Sequence, residues 1–205
     1  LAYGPWIERI KGNIESGKLG AISSLWIIYN MAHSEEFFTG YSGILREVCT
    51  HHIYSTFHLL GRPTRVRTVM GNIHFPNLGQ ADQVMMTCEM ADGALANLWC
   101  GLAASDPTSN PWTFVYKVLG TTGGIHHTWN DAVFFDPIDP DFGLPHYYES
   151  FRYEYEHFLH CCIAKGEPPH STIEDALDVE RVISAIERGE DAAKIGEGHA
   201  QVDVL

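Results

Sequence analysis

Glu47 and His51 are the residues of this chain whose types and spacing best suit chemistry. They lie four positions apart in the stretch Ser42-Gly-Ile-Leu-Arg-Glu-Val-Cys-Thr-His-His-Ile-Tyr54. In a helix, four positions make about one turn, so the carboxylate and the imidazole leave the same face. Histidine titrates near neutral pH, and a neighbouring carboxylate can orient it and raise its basicity. The spacing therefore predicts an acid–base pair. His51 is expected to act as base or acid, with Glu47 orienting it and favouring its protonated form. Thr50 and Tyr54 share the polar face and are candidate substrate contacts. His52 points to the apolar side and is expected to be a core or interface histidine.

The same residues raise a metal reading. Glu47 and His51 have usable ligand spacing, and His58 lies further along the stretch. His52, however, points about a quarter-turn or more from His51, and the pattern is not His-Glu-x-x-His. A metal-dependent hydrolase or lyase is thus the alternative enzyme, and no metal site is expected in this chain.

These residues need a helix to position them. The spacing predicts one from about Leu45 to Leu60, with a stripe of Leu45, Val48, Cys49, Ile53, Phe57 and Leu60, ending before Gly61 and Pro63. An earlier helix runs from Pro5 through Trp6, Ile7, Ile10 and Ile14 to a stop at Gly17. Between them, Leu25 to Tyr29 reads as a strand, followed by a polar and aromatic loop from His33 to Gly43. The middle of the chain is strand-rich. Arg65 to Phe75 alternates loosely, and Gln83 to Met90 and Ala94 to Leu102 flank Asp92-Gly93, a hairpin signal. Further strands are expected over Trp112 to Leu119, Ile125 to Trp129 and Ala132 to Phe135. A proline-rich loop over Pro137 to Pro145 leads to two helices. The first spans Tyr148 to Ala164. The second begins at Ser171 or Thr172, with Ser171 and Glu174 as a capping box, and ends near Glu187. A short strand over Gln201 to Val204 is the last element. The grouping predicts an α+β fold, a largely antiparallel open sheet with helices packed on one face, in one domain over residues 1–205.

The 205 residues suffice for an independent core, and 45% hydrophobic against 19% charged content excludes disorder. The formal charge of −13 argues against nucleic-acid and membrane partners. No apolar run approaches a membrane span, and no basic-then-apolar leader opens the chain. Five cysteines without a Cys-x-x-Cys pair suit free thiols in a reducing cytoplasm better than disulfides or a structural zinc site. Twelve histidines exceed what packing alone requires. The first residue, Leu1, is not methionine, which points to a piece of a longer protein.

In order and spacing these pieces resemble the C-terminal domain of the Gfo/Idh/MocA oxidoreductases. That family's helix pattern is approximately Gly-Gly-x-Leu-x-Asp-x-Gly-x-His-x-x-Asp. Gly43, Leu45, Glu47 and His51 match its second glycine, leucine, aspartate and histidine. Gly17 to Ile22, Leu60 to Pro63, Asp92 to Ala94, Val118 to Gly124 and Phe158 to Pro169 fall in family order. Glu47 replaces the usual aspartate, Cys49 a glycine and Tyr54 a second aspartate, departures expected of a subfamily with a different substrate or chemistry.

The resemblance implies oxidation or reduction of a sugar, polyol or related secondary alcohol with NAD or NADP. Glu47 and His51 would serve in catalysis, and the loop bearing His33 and Tyr41 would lie beside substrate. It also implies a homodimer or homotetramer built through the exposed sheet face. The family's N-terminal Rossmann domain, with its Gly-rich turn and Glu-Lys-Pro lysine, is expected to be absent from this chain. Gly120 to Gly124 has the wrong spacing for that turn and lies between strands. The cofactor is accordingly expected to bind mainly to the missing domain. A free-standing oligomerisation or ligand-binding domain without redox activity is the non-enzyme alternative.

Overall fold

The computed structural model describes residues 4–102, 112–128, 144–188 and 192–193. Helix α1 spans Pro5–Glu15 and strand β1 spans Ile22–Met31. After a short 3-10 turn, Glu36–Phe38, the functional helix opens with a π-helical turn, Leu45–Cys49, and continues as α2, Thr50–Leu60. Strands β2 (Arg65–Gly71), β3 (Gln83–Glu89), β4 (Leu95–Gly101), β5 (Trp112–Gly120) and β6 (Gly124–Thr128) follow. Helix α3 spans Leu144–Glu156 and runs into a second π-helical segment, His157–Ile163. Helix α4 (Ile173–Glu187) and the two-residue strand β7 (Ala192–Ala193) complete the described chain. The expected strands over Ala132 to Phe135 and Gln201 to Val204, and all but the end of the proline-rich loop, lie outside the described residues.

The seven strands form one open sheet in the order β6-β5-β1-β4-β3-β2-β7. Every pairing is antiparallel except β1 with β4. The Asp92-Gly93 hairpin forms as expected. Gly93 takes a φ of 89°, which suits a residue without Cβ, and the Asp92 carboxylate accepts the Ala94 N–H at 3.0 Å.

Alternation along the strands explains how the sheet is covered. Leu25 and Ile27 of β1, Val84, Met86 and Cys88 of β3, Ala96, Leu98 and Cys100 of β4, and Phe114, Tyr116 and Val118 of β5 are all buried. Ile7 and Ile10 of α1, Ile53 and Phe57 of α2, and Val179, Val182, Ile183 and Ile186 of α4 join them in one core. Trp6 packs its ring on Phe114 and Tyr116, with centroids 5.2 and 4.7 Å away. The opposite face of the sheet presents Trp26, Met85, Leu95 and Trp99 to solvent. The α+β architecture with helices on one face is therefore as the sequence predicts.

Helix α4 starts from the second of its two expected caps, and its capping box lies one residue further on than Ser171 and Glu174. Thr172, in an extended conformation, is the N-cap: its hydroxyl accepts the Asp175 N–H at 3.1 Å, and the Asp175 carboxylate accepts the Thr172 N–H at 2.8 Å. Ser171 and Glu174 do not form the box. Asp175 then also pairs with Arg62 at 2.6 Å, so the same carboxylate caps α4 and ties it to the end of α2.

Candidate functional site

Gly43 sets the entry to the functional helix. Its φ of 103° lies where side chains are strained, and a Cβ there would meet the Gln80 side-chain oxygen at 3.0 Å. The chain then winds as a π turn before becoming α-helical at Thr50. A π turn widens the hydrogen-bond spacing to i→i+5 and commonly accompanies functional residues. It also alters the relation expected of Glu47 and His51, because Glu47 sits inside it and His51 just beyond.

Both side chains are exposed at this end of the helix. Glu47 Oε1 accepts the Ser42 N–H at 3.3 Å, so the carboxylate holds the end of the aromatic loop. No hydrogen bond joins it to His51 among the described residues. Instead the two are coupled through charge. Crowding by surrounding protein pushes the His51 imidazole down to about 4, against a weaker upward pull from Glu47. Although the ring keeps an exposed edge, desolvation outweighs the carboxylate, and His51 is a neutral proton acceptor at pH 7. Glu47 thus favours the protonated form, as the sequence predicts, but burial outweighs that pull.

A buried polar chain fixes the back of this helix. His52 is 1% exposed, and its Nδ1 lies 3.3 Å from the Tyr116 hydroxyl on β5. Tyr116 donates to Ser55 Oγ at 3.0 Å, and Ser55 donates to the His51 carbonyl at 2.8 Å. Sequence periodicity placed His52 on the apolar side, but nothing local in the sequence joined it to Tyr116.

The other candidates are not gathered in one place. The Thr50 hydroxyl donates to the Arg46 carbonyl at 2.7 Å and is turned to its own helix. Tyr54 is half-buried and borders a separate cleft with Lys11, Phe57, His58, His170, Ser171 and Asp175. His33 stacks on Phe37 with ring centroids 4.1 Å apart, and Tyr41 packs against Phe37 and Phe38 at 5.3 Å. Burial lowers the His33 imidazole below its ordinary value. Glu47, by holding Ser42, links the cluster bearing His33 and Tyr41 to the functional helix.

That aromatic loop has a support that sequence reasoning missed. Asp82 is fully buried, and its Oδ2 accepts the backbone N–H groups of Ile73, His74 and Phe75 at 2.9, 2.6 and 2.9 Å. The carboxylate thus organises the connection between β2 and β3. Phe75 in turn packs on Phe38, 6.0 Å between centroids. Arg46, the one cation near Glu47 in the sequence, faces α4 instead. It forms ion pairs with Glu180 at 2.9 Å and Glu187 at 2.8 Å.

A family model described as the GFO/IDH/MocA C-terminal domain matches residues 7–126. The chain belongs to this family. No curated protein sequence matches it, but crystal structures share its fold. A myo-inositol dehydrogenase from Corynebacterium glutamicum superposes with a TM-score of 0.79 at 16% identity, covering 96% of this chain and 63% of that one. A scyllo-inositol dehydrogenase from Lactobacillus casei, with bound cofactor NAD(H) and scyllo-inositol, gives 0.76 at 17% identity, covering 92% and 60%. The myo-inositol 2-dehydrogenase from Lactobacillus plantarum gives 0.75 at 20% identity, covering 92% and 61%. The Gfo/Idh/MocA chain described here therefore spans 60% to 63% of the length of these three relatives.

The described residues do not fit a dinucleotide. Such a site needs a strand, a Gly-rich turn and a helix whose N-terminus faces the pyrophosphate. The only Gly-rich turn among them, Gly120 to Gly124, joins the antiparallel strands β5 and β6, with the Gly120 N–H bonded to the Gly123 carbonyl at 2.8 Å. The Thr121 and Thr122 N–H groups are engaged at the β1 entry, donating to the Ala21 and Leu19 carbonyls.

Proposed function

We propose that residues 1–205 form a single domain, the substrate-binding and catalytic half of an NAD(P)-dependent oxidoreductase acting on a sugar, polyol or related secondary alcohol. The observation that carries this reading is His51 itself. It is a neutral imidazole at an exposed position of the matched family helix, where its backbone carbonyl accepts from Ser55, which in turn accepts from Tyr116. Alcohol oxidation of this class loses a hydride to a nicotinamide, whose binding this reading assigns mainly to a further domain.

His51 takes up the hydroxyl proton, for which a neutral imidazole is suited. Glu47 holds the aromatic loop through Ser42 and stabilises the imidazolium formed when His51 gains that proton. His33 and Tyr41, on that loop, contact the polyol, with Thr50 and Tyr54 lying further along the helix. The inositol relatives support a polyhydroxylated substrate. Buried thiols at Cys49, Cys88 and Cys100 suit a reducing cytoplasm. The exposed apolar sheet face supports a homodimer or homotetramer. Among the described residues, no helix is long and apolar enough to cross a membrane.

The test is His51→Ala and His51→Gln in the full-length protein, assayed for NAD+ and NADP+ reduction against a panel of inositols, sugars and polyols. Loss of a general base should lower kcat by about 10²-fold or more. Turnover within a few-fold of the parent protein excludes the assignment.

A further inference from the structure

We propose that Glu8, His58 and His170 form a divalent transition-metal site, with Zn2+ the ion whose ligand chemistry it fits best. This inference goes beyond the oxidoreductase reading and does not depend on it. The three residues come from three separate segments: α1, the last turns of α2, and the connection preceding α4. Their ligand atoms all lie within 4.8 Å of one another. His58 Nε2 is 2.8 Å from Glu8 Oε1, and His170 Nδ1 is 3.1 Å from the same oxygen. Tetrahedral zinc with ligands at about 2.0–2.1 Å has ligand–ligand edges of roughly 3.3 Å, so modest side-chain movement satisfies the ion. Two imidazoles and a carboxylate are a ligand set that zinc accepts, leaving a position for solvent.

The surroundings support ligation. His170 Nε2 lies 3.1 Å from His157 Nδ1, a partner that can orient the ring with Nδ1 towards the ion. The His58 ring stacks near His170, centroids 5.8 Å apart. Lys11 Nζ is 3.5 Å from His58 Nδ1 and 4.0 Å from a Glu15 carboxylate oxygen. When Nε2 binds the ion, the proton resides on Nδ1 and the lysine turns to Glu15. The adjoining cleft, bordered by Tyr54, Ser171 and Asp175, admits the ion. Asp175 is occupied by Arg62 and the α4 cap and is not a ligand. By joining three segments the ion would also stabilise the fold.

The experiment is Zn2+ titration of the full chain in metal-free buffer, in competition with a chromophoric chelator, and Co2+ substitution followed by visible absorption. One Zn2+ per chain is expected, with a dissociation constant of about 10 µM or lower, and Co2+ should give the intense visible bands of tetrahedral coordination. Glu8→Gln, His58→Gln and His170→Gln should each weaken binding at least tenfold. His74→Gln and His126→Gln, on exposed histidines elsewhere, should not. Binding only above about 100 µM overturns the site, as does binding that survives all three ligand changes. If a ligand variant fails to fold, the Co2+ spectrum of the parent chain still decides: octahedral bands alone overturn the proposal.

Discussion

The Tyr116 hydroxyl donates a 3.0 Å hydrogen bond to Ser55 Oγ, joining the central part of β5 to the middle of α2. Since the Ser55 hydroxyl donates in turn to the His51 carbonyl, the backbone position of the proposed base is set by the sheet as well as by its helix. Tyr116 is fully buried, and burial pushes its phenol well up, so the hydroxyl remains a neutral donor across the working pH range.

Replacing Tyr116 with phenylalanine keeps the ring packing on Trp6 and Phe114 but removes this donor. Ser55 and His52 are then left short of a partner in an apolar setting. Unfolding in urea should show a loss of about 1–3 kcal/mol. In the full-length protein kcat should fall more than KM rises, because the imidazole is displaced and not the binding surface. A variant with parental stability and turnover would show that the Tyr116–Ser55 bond does not position His51.

Acid sensitivity follows from His52. Burial first, then the neighbouring His51, pushes its imidazole down to about 3, whereas the unfolded chain holds the ordinary value near 6.5. Between these values the unfolded state binds a proton that the folded state does not. Stability is therefore complete above about pH 6.5 and is lost as pH falls towards 3, with a slope approaching 1.4 kcal/mol per pH unit from this group. His51, lowered in the same direction, adds a smaller contribution at its exposed position. Urea unfolding from pH 7.5 to 5 should show this slope, and His52→Gln should flatten it. An unchanged slope in that variant removes His52 as its source.

The legible and illegible parts of this molecule divide by the range of the interactions. The α1 and α2 stripes and the Asp92-Gly93 hairpin are local patterns, and each appears where its spacing places it. The π turn at Leu45–Cys49 is different: an i→i+5 turn leaves no periodic trace in five residues. It follows that Glu47 bonds Ser42 and not His51. The α4 capping box uses Thr172 and Asp175, although Ser171 and Glu174 have the same spacing, and Asp175 also pairs with Arg62 from the distant end of α2. Glu8 and His170 meet across 162 residues, a contact no local pattern encodes. Asp82 likewise carries no local signal in the sequence, yet it is fully buried and holds three backbone N–H groups.

The open face of the sheet carries the remaining prediction. Trp26 is 44% exposed and Met85 52%, while Trp99 on β4 pairs with both Ile28 and Met85. These residues sit on β1, β4 and β3, central strands whose exposed side would ordinarily be polar, and they form a contiguous apolar patch. Lys117, Thr87 and the Arg67–Glu89 ion pair, 3.3 Å, give it a polar rim. An apolar centre with a polar rim is the anatomy of a protein interface, and a self-associating sheet face needs about 800 Å² from each partner. Sedimentation velocity should find a dimer or tetramer at micromolar concentration. Trp26→Asp and Trp99→Asp should dissociate it while leaving the circular-dichroism spectrum unchanged, since neither side chain belongs to the helix-covered core. A monomeric parent protein, or an oligomer indifferent to both changes, would move the interface away from this face.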